Sequence, residues 1–516
     1  MTTRYVHALL ACVVAQAADP VRVAGTVVDS VNGSPVRRAH VYLTPEGRRA
    51  GELSMVTAED GKFSFDVQPG KYQLTAERKG QFRQHYGQNA ANLNLGSSVI
   101  AGPGQKTDAL VFRWYPPVSI GGKIVDEAGE PVENAMVQLM HTDFLGQRRT
   151  HTIAWGYTDD RGEYRFGGLA ASSFYIAVTA TPWYAKLARG RFTPASGKIS
   201  FVTMYYPNTN DARAAAPLVM KPGEDAVANF TLYPVKAVNV IVHLDTEVFG
   251  NCRLSLVYDG IGGTDGFQRI EDSFPPEHVL GAVPSGHYRL RVVCTAGDRT
   301  LSALQPIDVG TSDTEVHITL KDPPAVTGVL RLPAGARPSG TTVVALTHET
   351  TGATLTRAAA QDGTFRFPNV PSGSYRPTLR SADGYFIARM SVNGAVSTDE
   401  LIEVGDSAVE LEVEATDAVG RLNGFVYRAD EPVPRVMVVL VPAAEPRNRA
   451  NSRSFQTDSD GSFDFQNIRA GDYLMFATEE PEIEYANPEK LKPYLGSAKR
   501  VHIDPKSTQS ARIELP

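Results

Sequence analysis

None of the eleven histidines in this chain of 516 residues begins an H-x-x-E pair, and no H-E-x-x-H occurs. A zinc-peptidase site needs such a pair, or its equivalent, plus a distant third ligand, so the sequence supplies none. A G-x-S-x-G nucleophile elbow and a glycine-rich phosphate loop are also missing. Asp458-Ser459-Asp460-Gly461-Ser462 resembles the start of a calcium loop, but the further ligands and the closing glutamate are not there. The same Asp-Gly pair recurs along the chain as hairpin punctuation, so a turn is the expectation at this place too. Scattered Ser, His and Asp residues form no recognisable constellation. The chain therefore reads as a non-enzyme with no catalytic residue, cofactor or metal.

Two other groups of residues carry chemistry. Once an N-terminal leader is removed, only Cys252 and Cys294 remain of three cysteines. Cys252 shares strand parity with Leu254 and Leu256, and Cys294 with Tyr288, Leu290 and Val292, so both are expected to point into one core. In an exported chain that suggests a disulfide; the alternative is a pair of buried thiols acting as small apolar residues. The second group is an insertion, 181–210, holding Trp183, Tyr184, Phe192, Phe201, Tyr205 and Tyr206 beside Lys186, Arg189, Arg191 and Lys198. Rings beside cationic donors can stack on sugars or anchor a protein, and Trp183, Tyr184, Tyr205 and Tyr206 are the candidate ligand-binding residues. The favoured alternative is that these rings cover an open sandwich end or a joint between domains, because a long loop must bury something to stay ordered.

The elements that hold these residues are set by a repeat. Glu59-Asp60-Gly61-Lys62-Phe63-Ser64-Phe65 runs into Pro69-Gly70-Lys71-Tyr72, and Asp160-Arg161-Gly162-Glu163-Tyr164-Arg165-Phe166 precedes Phe174-Tyr175. Asp362-Gly363 leads to Ser372-Gly373-Ser374-Tyr375, Asp460-Gly461 leads to Ala470-Gly471-Asp472-Tyr473, and a worn copy ends in Ser285-Gly286-His287-Tyr288. Asp-Gly makes a tight turn, the residues after it alternate aromatic and polar, and a second glycine turns the chain before the tyrosine. Upstream of each turn lies an opening strand, usually centred on glycine, such as Val23-Ala24-Gly25-Thr26-Val27 or Leu422-Asn423-Gly424-Phe425-Val426. Downstream lie closing strands such as Val409-Glu410-Leu411-Glu412-Val413. About seven short strands per unit, at a period near a hundred residues, indicate an all-β tandem array of about five seven-stranded antiparallel sandwiches.

Prolines after the closing strands suggest the divisions: a leader over 1–17, then sandwiches over 18–115, 116–234, 235–321 (degenerate), 322–416 and 417–516. The linkers are a few residues long, which predicts a semi-rigid rod or arc. One short helix is expected at Asn487-Pro488-Glu489-Lys490-Leu491-Lys492. The net charge of −6 gives no basic field for nucleic acid. The mature chain has no apolar run long enough to span a membrane. At the N-terminus Arg4, an apolar stretch and Ala15-Gln16-Ala17 have the order of a secretory leader cut before Ala18. Leu9-Leu10-Ala11-Cys12 has the form of a lipobox, and a lipoprotein anchored at Cys12 is the minority reading. An extracytoplasmic chain is expected, whether periplasmic, surface-held or released.

The opening strand of the second unit, followed by Ile124-Val125-Asp126-Glu127-Ala128-Gly129-Glu130-Pro131-Val132-Glu133-Asn134-Ala135-Met136-Val137 and Thr158-Asp159-Asp160-Arg161-Gly162-Glu163-Tyr164-Arg165-Phe166, resembles the carboxypeptidase regulatory-like domain. That family has a transthyretin-like (prealbumin-like) β-sandwich and is similar to the B-type repeats of bacterial collagen adhesins. The resemblance is best in unit two and good in units one, four and five, while Ser172-Ser173-Phe174 replaces the usual Pro-Gly. It implies a non-catalytic accessory, spacer or binding module. It also implies looking for an internal Lys–Asn bond beside a buried acid. Lys123 is the candidate on an opening strand, but Thr179 stands where the acid should be, and Glu77 in unit one has outward parity. The expected function is an exported scaffold or protein-interaction module at the bacterial envelope, with an envelope protein or glycan as partner. The alternative is a carbohydrate-binding array.

Overall fold

The computed structural model describes residues 19–516 except 48–50, 79–80, 90–94, 144–148, 184–198, 246–250, 259–260, 262–267, 274–277, 297–298, 323, 350–352, 382–383, 398–399, 406, 445–450 and 486. The leader, Cys12, Tyr184, Lys186, Arg189, Arg191, Phe192 and Lys198 lie outside the described residues. The chain is all-β, and each repeat builds two sheets over its own hydrophobic cluster. Among the described residues one α-helix occurs, Pro488–Leu495, capped by the Asn487 side chain on the Glu489 N–H. Its Leu491 packs with Val439, Val441 and Phe476 on the outer face of a unit-five sheet. No helix among the described residues is long and apolar enough to cross a membrane.

Unit one shows the common plan. The opening strand Val21–Asp29 pairs antiparallel with the aromatic strand Lys62–Val67, and parallel with the closing strand Leu110–Trp114. The second sheet pairs His40–Pro45 with the tyrosine strand Gly70–Glu77. Alternation along Lys62–Val67 buries Phe63, Phe65 and Val67 and exposes the residues between them. These rings meet Val23, Leu43, Leu74, Phe112 and Trp114 in the core. The same parallel pairing of opening and closing strands recurs in the other four units. The sandwiches are therefore mixed at this one joint, where a purely antiparallel pattern was expected. A sandwich of this kind returns the chain to its first strand from the far side, which fixes the parallel sense.

The parallel joint explains the opening glycines. A Cβ on Gly25 would lie 2.1 Å from the Leu110 carbonyl oxygen, and one on Gly424 would lie 1.8 Å from that of Ala511. Glycine is required so that the closing strand can come this close.

Units two and three touch, units four and five touch, and so do the two ends. Ile199–Phe201, inside the unit-two insertion, pairs with the opening strand Pro234–Leu244 of unit three. Arg469 of unit five contacts Glu400 and the Ala388 carbonyl of unit four. Unit one then meets unit five through the hydrogen bonds described below. The array closes on itself, which corrects the expectation of an open rod or arc. Short linkers limit flexibility but do not set the direction in which successive units turn.

Candidate functional site

The recurring polar residues have structural partners. The Tyr72 hydroxyl donates to the carbonyl of Gln68 at 2.7 Å, four residues back. Tyr288, Tyr375 and Tyr473 make the same bond to Pro284, Pro371 and Arg469. Each bond satisfies a carbonyl stranded where the chain turns between sheets. In unit two Phe174 occupies this place, opposite His141 in the register, and has no hydroxyl to give. A buried threonine before each of three turns is a second device. Thr57, Thr158 and Thr457 each accept an N–H and donate to a carbonyl across the loop. Its signal, threonine ahead of Asp-x-Gly or Asp-Gly, stood in the sequence unread.

Asp458-Ser459-Asp460-Gly461-Ser462 folds as a turn. The Asp458 N–H bonds the Ser462 carbonyl, and Gly461 has φ of 82°. The Asp458 carboxylate, only 3% exposed, turns toward unit one. There Lys71 Nζ lies 2.8 Å from Asp458 Oδ2 and 3.4 Å from Glu46 Oε2. The Ser98 N–H donates to Asp458 Oδ1 at 3.1 Å, and Ser459 returns a bond to the Ser98 carbonyl at 3.0 Å. Around this centre Ser97 donates to the Thr457 carbonyl, Gln456 to that of Gly87, and Asn89 to that of Arg435. The Lys71 ammonium also lies 5.1 Å from the centre of the Phe455 ring. Lys71 thus meets one acid of its own unit, Glu46, and one of unit five, Asp458, as ion pairs.

Burial pushes the Asp458 carboxyl above its ordinary value, against the pull of Lys71 and the Ser98 N–H. Burial also works against the Lys71 charge, but its bonds and attraction to Asp458 and then Glu46 outweigh it and hold the ammonium above its ordinary range.

The candidate ligand residues separate. Trp183 is 69% exposed. Tyr205 is buried, packed with Met140 and Ala177 and with Ala212, Ala215 and Ile261 around them, so it belongs to the structure and corrects its placing among ligand residues. Tyr206 is half-buried against the unit-two core, beside Phe201 and Met204. The described end of the insertion thus fills the joint between units two and three. Lys123, on its opening strand, is exposed. Cys252 and Cys294 face each other across adjacent strands of unit three and are joined by a disulfide.

The family model of the carboxypeptidase regulatory-like domain matches residues 22–108, a span that falls within the first unit. The match falls on unit one, whereas the motifs looked strongest in unit two, where Phe174 and the insertion depart from the pattern. Among solved structures, the Bacillus anthracis TIE protein is 13% identical, covering 77% of this chain and 75% of its own at a TM-score of 0.17. The minor pilin GBS52 of Streptococcus agalactiae is 14% identical, covering 37% of this chain and 94% of its own, with a TM-score of 0.19. The shaft pilin SpaA of Lactobacillus rhamnosus GG is 9% identical, covering 42% and 98%, with a TM-score of 0.21. Scores this low carry no argument about function. No curated protein matches the chain.

Proposed function

We propose that the chain is a non-catalytic, exported scaffold that presents interaction surfaces at the bacterial cell envelope. One observation carries this reading: the repeated tyrosines, threonines and aspartates are used up in holding turns, caps and the joint between the end units. A chain whose recurring polar groups hold its own structure suits a module that binds rather than transforms. The Cys252–Cys294 disulfide supports export, since such bonds persist in oxidising compartments. The proposed divisions lie near Pro116, Pro234, Pro323 and Asp417.

Fractionation of the native host with mass analysis of the isolated protein tests the proposal. The chain should be recovered outside the cytoplasm, beginning at Ala18 and with Cys252 bonded to Cys294. Recovery in the cytoplasm with both thiols reduced would contradict it. A lipid on Cys12 would replace the cleaved leader with a membrane anchor. Limited proteolysis should release whole units by cuts near the four divisions.

A further inference from the structure

Unit two exposes two large aromatic side chains on a single strand. Trp155 and Tyr157 stand two residues apart on Arg149–Tyr157, at the edge of their sheet, 63% and 56% exposed. Their rings meet edge to face, with centroids 5.9 Å apart and planes at 83°. Neither belongs to the core cluster of the unit, and in the register they stand opposite Gln138 and Met136. Two such rings in contact on one strand present a rigid, amphipathic face of the kind used in recognition.

Tyr157 also walls a shallow hollow of about 680 Å³ on the neighbouring sheet. Gly121 leaves the middle of the opening strand without a side chain, and Lys123, Glu163, Arg165 and Asp225 stand around it. Arg165 and Asp225 approach to 3.6 Å, and Asp225 also accepts from Ser119. Lys123 and Arg165 only donate hydrogen bonds, whereas ionised Glu163 and Asp225 only accept them. A sugar hydroxyl does both, so such a mixed lining suits a polyol. With Asp159 also in the lining, two cations stand against three carboxylates, a balance that does not draw in an acidic polymer.

We propose that Trp155, Tyr157 and this hollow form a binding site for a neutral glycan, with one sugar stacked on the Trp155–Tyr157 pair and the following ones lying in the hollow that Tyr157 walls, among Lys123, Glu163, Arg165 and Asp225. The site goes beyond the scaffold reading, which would stand without it. The test is calorimetric titration of the full chain with neutral hexasaccharides of glucose, mannose, xylose and N-acetylglucosamine. At least one should bind saturably, with Trp155→Ala weakening it at least tenfold and Trp155→Tyr, which keeps a ring, retaining most of the affinity. The thermal melt should be unchanged in both variants, and Trp183→Ala should bind as the parent does. No saturable binding to any of the four sugars would overturn the proposal. So would unchanged binding by Trp155→Ala, or a preference for an acidic glycan.

Discussion

Lys71 in the first unit and Asp458 in the last are joined by an ion pair of 2.8 Å, and this pair sits at the centre of the contact that closes the chain. Its two sides are unequal, because the Asp458 side chain is almost wholly buried while that of Lys71 is 27% exposed. Replacing Lys71 by Ala strands a buried carboxylate, which costs on the order of 3 kcal/mol. We expect Lys71→Ala to part the end units without unfolding any sandwich. Small-angle scattering should show a larger radius of gyration, while the near-ultraviolet spectrum of the packed rings stays the same.

The pH response of this contact follows from both groups being raised. A group whose folded pKa is raised adds stability that is complete below its unfolded value and is lost as pH rises through the folded one. For Asp458 that loss begins upward from about 3.9, and for Lys71 upward from about 10.4. Mild acid should therefore leave the contact closed, and alkali above the ordinary lysine range should weaken it. Scattering at pH 5, 7 and 11 checks this; opening at pH 5 with closure at pH 7 would refute the assignment.

The tyrosine bonds make a local prediction. Tyr473→Phe leaves the Arg469 carbonyl without its partner, at a cost of about 1 kcal/mol. For a unit of this size that lowers the melting temperature by roughly 4–8 °C. Calorimetry should show the loss in the transition of unit five alone. Unit two already carries Phe174 at this place, so Phe174→Ala there should report only lost packing.

At Gly424 the constraint is steric. A Cβ would sit 1.8 Å from the Ala511 carbonyl oxygen and 2.9 Å from the Phe463 ring, and the first of these is backbone, which cannot swing aside as a side chain can. Gly424→Ala should cost about 3 kcal/mol, read as early denaturant unfolding of unit five. Gly496→Ala, where nothing lies within 4 Å, should be close to neutral.

Reduction of the Cys252–Cys294 bond removes a constraint spanning 42 residues of sequence. By loop-closure entropy that lowers the stability of unit three by roughly 3–4.7 kcal/mol. Thermal scans with and without a reductant should differ in the unit-three transition and leave the other four in place.

The fold was legible because its signals are local. Asp-Gly turns, the alternation of Phe63 and Phe65, and the Gly-then-Tyr step each depend on a few adjacent residues. The parallel joint was not legible, since pairing Gly25 with Leu110 depends on how the whole unit wraps around its core. For Cys252 and Cys294, parity gave the shared direction but not the neighbouring strands. For Tyr205 both readings stayed open, because an aromatic residue in an insertion looks the same whether it faces water or Met140. Trp155 passed unnoticed within a strand that alternates as others do, because its exposure depends on what packs over the sheet edge and not on the local pattern. Lys71 and Asp458 come from opposite ends of the chain, and no local pattern ties them together.

Closure of the first unit onto the last is tested most directly by cysteine pairing across it. Ser98 and Ser459 are bonded neighbours through the Ser459 N–H and the Ser98 carbonyl. With both changed to cysteine, mild oxidation of dilute protein should give a monomer in which peptide mapping recovers residue 98 linked to residue 459. Two thiols that stay open to alkylation, or a link found only between separate chains, would contradict the closed array.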